Sequence, residues 1–223
     1  MSKYRFEAIL AVVLIALFFG VSSFQSASKL TKAEVDDYVS IMERDLPKEM
    51  EDRAEFIARL RDWGMNDDGK PIYMLNVMRF FDKLHPIPGA LSTGTPKEAN
   101  AVYEDAAKPL LFKRGAYPII AGDTTRLRGK GKLESNILVY QKELDNWDRV
   151  LVVRYPGRRS FIGLMANPEY LKAMPNKLAS LEVVLTPVSG DLVIPDLRWV
   201  AGGIFLATFL LVGWIRAARR GKQ

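Results

Sequence analysis

The chain contains no cysteine and only one histidine, His85. The first absence excludes disulfides, thiolate metal centres and cysteine nucleophiles, and the second excludes any metal site built from two or more histidines. No serine stands in a nucleophile-elbow pattern, and "RGKGK" (128–132) is too short for a P-loop and lacks its hydroxyl residue. "NDDG" (66–69) begins like a calcium loop, but the remaining ligand positions are missing. His85 lies in the proline-bound loop "KLHPIPG"; a haem ligand or general base is conceivable there, and an ordinary surface histidine is the plainer reading. No cofactor and no metal are implied, and the sequence names no reaction.

What is present suits one globular domain with accessories: 223 residues, 48% hydrophobic and 26% charged. The net charge of +6 sits at the ends. Lys3 and Arg5 against Glu7 leave +1 over residues 1–24, and Arg198, Arg216, Arg219, Arg220 and Lys222 give +5 over residues 197–223. The middle of the chain is neutral. Basic residues beside apolar runs are a membrane signature rather than a nucleic-acid footprint, so the expected partner is a membrane and not DNA or RNA.

Two uncharged runs carry that expectation, "AILAVVLIALFFGVSSF" (8–24) and "WVAGGIFLATFLLVGWI" (199–215), the second with Trp199 and Trp214 near its ends. Each is about 17 residues, the short end of what crosses a hydrocarbon core. The first reads as an uncleaved anchor, with a cleavable signal peptide as the alternative, although Gln25 makes a poor −3 residue for cleavage after Ala27. The expected organisation is a cytoplasmic N-tail (1–7), a transmembrane helix or signal peptide (8–24), a helical lead-in (25–70), an α+β domain (71–190), a second transmembrane helix (198–215) and a basic cytoplasmic tail (216–223). Residues 25–196 then lie outside the cytoplasmic membrane.

Along the middle, "TKAE" (31–34) and "TPKE" (95–98) are capping boxes that open helices. A helix between them carries Met50, Ala54, Ile57 and Leu60 and stops at Gly64. "IYMLNVMRF" (72–80) is apolar on both faces, as in a covered central strand. Residues 117–121 and 137–140 read as strands, then 150–153, a helix from about Arg158 that restarts at Asn167–Pro168, and a last strand over 182–188. Pro109 is expected to kink the helix that contains it. The order is βαββαβ, the ferredoxin-like split unit.

Three motifs in that order, "MLNVMRF", "WDRVLVVRYPGRRSF" and "NPEY", resemble an uncharacterised domain-of-unknown-function family of the dimeric α/β-barrel superfamily, over residues 71–188. The resemblance implies a ferredoxin-like protomer whose sheet packs on that of a second copy, hence a homodimer. The superfamily also includes small monooxygenases and haem-handling enzymes. The family's histidine–arginine pair after the turn is here Asn176–Lys177, Gly157 and Asn167 replace its serine and aspartate, and the two apolar segments are additions.

Polar residues at the ends of the central strands supply the candidate ligand-binding set: Asn76, Arg79, Arg154 and Tyr155, with Tyr103 and Tyr170 from the covering helices. Taken as parallel neighbours, the first and third strands bring the first four to one end of the sheet, and two guanidiniums there favour a small anionic ligand. Side-chain alternation opposes this, since Asn76 and Arg79 point to opposite faces of an unbent strand. The bland reading gives Trp147, Asp148 and Arg149 to rim salt bridges and core capping, and pairs each arginine with an acid such as Asp82. Two functions remain open: a membrane-anchored domain that binds a small polar or anionic ligand or organises a dimer, and a membrane-tethered enzyme of the small-monooxygenase type. Whether the domain is an enzyme is left open by the residues.

Overall fold

The computed structural model describes residues 5–125, 127–128, 134–138, 145–190 and 197–220. Two compact units divide the chain, Met1–Ser189 and Gly190–Gln223. The second unit contains one described helix, α7 (Leu197–Arg220), of which Val200–Arg219 is long and apolar enough to cross a membrane. Its large side chains face outward, with Phe205 at 72% and Phe209 at 75% exposure. Parts of the expected tails, residues 1–4 and 221–223, lie outside the described residues.

The first unit opens with α1 (Arg5–Phe24), whose apolar portion, Ile9–Phe24, is shorter than α7's. The lead-in is α2 (Lys32–Asp45) and α3 (Arg53–Met65). Both predicted capping boxes form: Thr31 and Glu34 start α2, and Thr95 and Glu98 start α4 (Pro96–Lys113), so each satisfies amides the first turn leaves free. Helix α4 continues through Pro109. Val35, Val39 and Met42 line one face of α2 at helical spacing and are buried against α3 and α5 (Arg158–Met165). Gly64 allows the close approach, since a Cβ there would lie 3.0 Å from Ile162 Cδ1.

A four-stranded antiparallel sheet follows, built from β1 (Ile72–Phe80), β2 (Tyr117–Asp123), β5 (Arg149–Tyr155) and β6 (Leu181–Val188) in the order β2-β5-β1-β6. Between β2 and β5 lie two short strands, β3 (Leu127–Arg128) and β4 (Glu134–Ser135), which pair with each other. Helix α6 (Pro168–Ser180) starts as the sequence suggests, with the Asn167 side chain accepting from Tyr170 N–H. The main strands and the helices α4 and α6 give the βαββαβ order. The strand expected over 137–140 does not form at 137–138, and 139–140 lie outside the described residues.

One expectation fails in a way that matters. The central strands β1 and β5 are antiparallel, with Ile72 opposite Tyr155 and Met78 opposite Arg149. Crossovers through α4 and α6, with a direct antiparallel return from β2 into β5 between them, make every neighbouring pair in this sheet antiparallel. Late residues of β1 therefore lie at the end where β5 begins. Ile72, Met74, Asn76 and Met78 are buried towards the helices, and Tyr73, Leu75, Val77 and Arg79 occupy the other face.

Candidate functional site

Between the helix-covered side of the sheet and the helices α4 and α6 lies a cavity of about 310 Å³. Its floor comes from alternate strand residues: Met74, Asn76 and Met78 of β1, and Leu151, Val153 and Tyr155 of β5. Asn76 is 6% exposed, and its amide donates to the carbonyls of Met74 at 3.1 Å and Leu151 at 3.3 Å. Those bonds answer the need of an amide on an otherwise apolar strand. From the helices come Tyr103, Tyr170 and Lys177, the last two seven residues apart, two turns, on α6. The phenols of Tyr103 and Tyr170 share a 2.6 Å hydrogen bond, with their rings edge-to-face at 5.7 Å. Four of the six candidate residues, Asn76, Tyr103, Tyr155 and Tyr170, thus meet in one place.

Arg79 and Arg154 do not join them. Both project from the opposite face of the sheet, and antiparallel pairing sets them at its two ends: Arg154 faces Tyr73, whereas Arg79 faces Glu182. Six residues of strand separate the two positions, about 20 Å. Arg79 stacks on Trp147 with its guanidinium 4.5 Å from the ring, and donates to the Asp145 and Asn146 carbonyls at 2.5 and 3.2 Å. Arg154 donates to the Gln25 side chain at 2.5 Å. The same segment is held by Arg159, which donates to the Ser28 and Lys29 carbonyls, and by Asp67, which accepts from Leu30 N–H. Gly115, at φ +69°, lets this leader approach, because a Cβ would lie 2.7 Å from the Phe24 carbonyl oxygen. The two arginines fasten chain segments and make no anion site between them.

Sequence reasoning missed Lys177, Asn100 and Glu104. Lys177 makes no ion pair within 4 Å among the described residues; its ammonium rests 5.1 Å above the Tyr103 ring. Burial pushes its pKa down to about 8, against the opposing pull of Glu104. Burial likewise raises the phenols, Tyr170 to about 12 and Tyr103 and Tyr155 well above the ordinary value, so all three are neutral near pH 7. Glu104 accepts from the Asn100 amide at 3.0 Å and lies 3.4 Å from Arg149 Nε. The available signal was the place where the resemblance expects a histidine–arginine pair. Its first residue, Asn176, has a structural task, accepting from Leu91 N–H at 2.9 Å, while the second, Lys177, turns into the cavity. His85 is exposed and stacks on Phe81 with centroids 3.7 Å apart.

The cavity is therefore mostly apolar, with a cation (Lys177), a carboxylate (Glu104), two amides and three phenols at defined points. Such a lining holds an apolar body and orients one polar head.

No family model and no curated protein matches the chain. Among solved structures, the methylated RPA0582 protein is 24% identical, with a TM-score of 0.50 over 64% of this chain and 93% of that one. RPA0582 from Rhodopseudomonas palustris, described as a protein of unknown function, is 22% identical, with a TM-score of 0.49 over 63% of this chain and 94% of that one. SnoaB from Streptomyces nogalater, a cofactor-independent oxygenase, is 13% identical, with a TM-score of 0.34 over 57% of this chain and 99% of that one. The RPA0582 likeness speaks for the fold alone, and the SnoaB likeness is too distant to carry an argument.

Proposed function

We propose that the domain is a membrane-anchored binding module for a small, largely apolar molecule with an anionic head, seated in the cavity with that head at Lys177. The observation that carries this reading is an ammonium in an apolar cavity with no carboxylate within ion-pair distance among the described residues. The nearest acid, Glu104, lies beyond ion-pair distance and is shared with Arg149 and Lys108, so the half-buried ammonium is only partly compensated and an anionic head would give it a direct partner. The expectation of a small polar or anionic ligand is narrowed to one with an apolar body, because methionine, leucine, valine and aromatic side chains make up most of the wall. Anchoring rests on α7, with residues 25–196 outside the membrane and the basic tail inside.

A second copy is part of the proposal. On the uncovered face, Val150, Val77 and Val184 form one cross-strand row, and Ile120, Val152 and Leu75 another. Ile120 is 58% exposed and Val184 48%. An apolar patch of this kind suits a two-fold contact between identical sheets.

The ligand reading is tested by calorimetry on the full chain in nanodiscs, with octanoate and octanol as probes. Octanoate should bind at least about tenfold more tightly than octanol, and Lys177→Met should remove that preference. Absence of saturable octanoate binding, or an unchanged preference in Lys177→Met, would overturn it.

A further inference from the structure

Helix α1 runs straight into the folded domain. From Ile9 to Gly20 every residue is exposed, so among the described residues nothing covers that part of the helix. At its end the backbone is gripped at once. A Cβ on Gly115 would lie 2.7 Å from the Phe24 carbonyl oxygen and 2.9 Å from Pro156 Cγ, and Arg154 donates to the Gln25 side chain. A Cβ on Gly157 would lie 2.7 Å from that of Ala27. Residues 25–30 are thus a strap laid on the domain, and no free linker separates α1 from the sheet. The strap lies at one end of that sheet, where β1 begins and β5 and β6 finish, with Ile72 opposite Tyr155 and Tyr73 opposite Val188.

With residues 25–196 outside the membrane as proposed above, on which this inference rests, and α1 retained as their anchor, the length of α1 decides where that end lies. Its apolar part, Ile9–Phe24, is about 24 Å long at 1.5 Å per residue, against a hydrocarbon core of roughly 30 Å. A span that is short for the bilayer draws the residues flanking it into the headgroup layer. That layer adds about 5–7 Å on each side of the core, enough to reach the side chains around Phe24 and Gln25.

Charge fits that position. The acids at this end, Glu34, Asp67 and Asp68, face Arg159 and Arg158. Lys29, Lys70 and Lys113 are exposed and make no ion pair within 4 Å among the described residues. All three border the strap: Lys29 belongs to it, with Cγ 3.1 Å from where a Cβ on Gly69 would sit, Lys70 follows Gly69, and Lys113 stands two residues before Gly115. At the opposite end of the sheet Arg79, Lys97 and Arg149 are balanced by Asp123, Asp148 and Glu182. We infer that the basic end of the domain rests on the bilayer and binds anionic phospholipid headgroups through Lys29, Lys70 and Lys113.

The full chain, labelled with 15N in nanodiscs of phosphatidylcholine and phosphatidylglycerol, tests this. Headgroup-spin-labelled lipid should broaden the amide signals of Lys29, Lys70 and Lys113 and spare those of Lys83 and Lys97. The triple variant Lys29→Gln, Lys70→Gln, Lys113→Gln should lower the association of spin-labelled phosphatidylglycerol relative to phosphatidylcholine by about fivefold or more, the loss of at least one basic contact with an anionic surface. The double variant Lys83→Gln, Lys97→Gln should leave that preference unchanged. Equal broadening at both ends, or a triple variant with the parent's preference, overturns the proposal. Absence of broadening along Ile9–Phe24 from tail-labelled lipid would instead remove the anchor itself, and the proposal with it.

Discussion

The two faces of one sheet have opposite fates. On the covered face, Met74, Asn76, Met78, Val153 and Tyr155 are nearly inaccessible, yet the helices above them do not fill the space, and a cavity with a charged lysine is left. On the other face, the residues between them in sequence make rows of valine, leucine and isoleucine without a covering layer among the described residues. A period of two residues thus separates the lining of the cavity from the face proposed for a second copy. The arginines that resemble ligand-binding residues in the sequence belong to the second face, where they tie down loops. What looks like one polar strand end is two structural fastenings, one at each end of the sheet.

The largest effect should come from charging the uncovered face. Val184→Asp appears twice in a two-fold contact and buries two carboxylates, so the dimer should weaken by about 100-fold or more. Sedimentation of the full chain in detergent reads this directly. A protein that is monomeric before the substitution would remove the dimer from the account.

Arg79→Ala should come next. It strands the Asp145 and Asn146 carbonyls and uncovers Trp147, and it should lower stability by about 1–3 kcal/mol by chemical denaturation. Octanoate affinity should not change, because Arg79 lies on the other face from the cavity. A large affinity loss at constant stability would restore the sequence expectation of an arginine ligand site.

Much of the frame was legible because it rests on local rules. Capping boxes at Thr31 and Thr95 placed two helix starts, Asn167 with Pro168 placed a third, and the apolar span of β1 was visible as nine residues bounded by Pro71 and a polar loop. The site was only half legible. Tyr103, Tyr155, Tyr170 and Asn76 met as expected, but direction is a property of topology rather than of any strand's own residues, and an error there separated Arg79 from Arg154. Lys177 was hidden for a different reason: a lysine on a helix reads as a solvated side chain until the helix is rotated against the sheet. Asn100 and Glu104 were hidden in the same way on α4.

The pH dependence of stability sharpens the covered face. In the folded chain Lys177 loses its proton near pH 8, whereas in the unfolded chain it holds it to about 10.5. Between those values the unfolded state binds more protons, so stability should rise with pH, and below pH 8 this residue contributes no slope. Thermal unfolding from pH 8 to 9.5, below the onset of ordinary tyrosine ionisation at about 10, should show the rise, and Lys177→Met should flatten it. A parent profile identical to that of Lys177→Met would mean the ammonium is solvated.

The smallest expected change is Arg154→Ala. Its partner Gln25 is uncharged and the pair is only partly buried, so the loss should be about 1 kcal/mol, with octanoate binding intact.

The methionines offer the most direct test of the cavity as a ligand site. Five of the eight, Met50, Met74, Met78, Met165 and Met174, line it, while Met42 is buried in the lead-in core and Met65 is exposed at the end of α3. In the full chain labelled with 13C at the methionine methyls, octanoate should shift the cavity signals together in a saturable manner and leave Met42 and Met65 unmoved. Shifts confined to Met65, or no saturable shift at any of the five, would contradict the account.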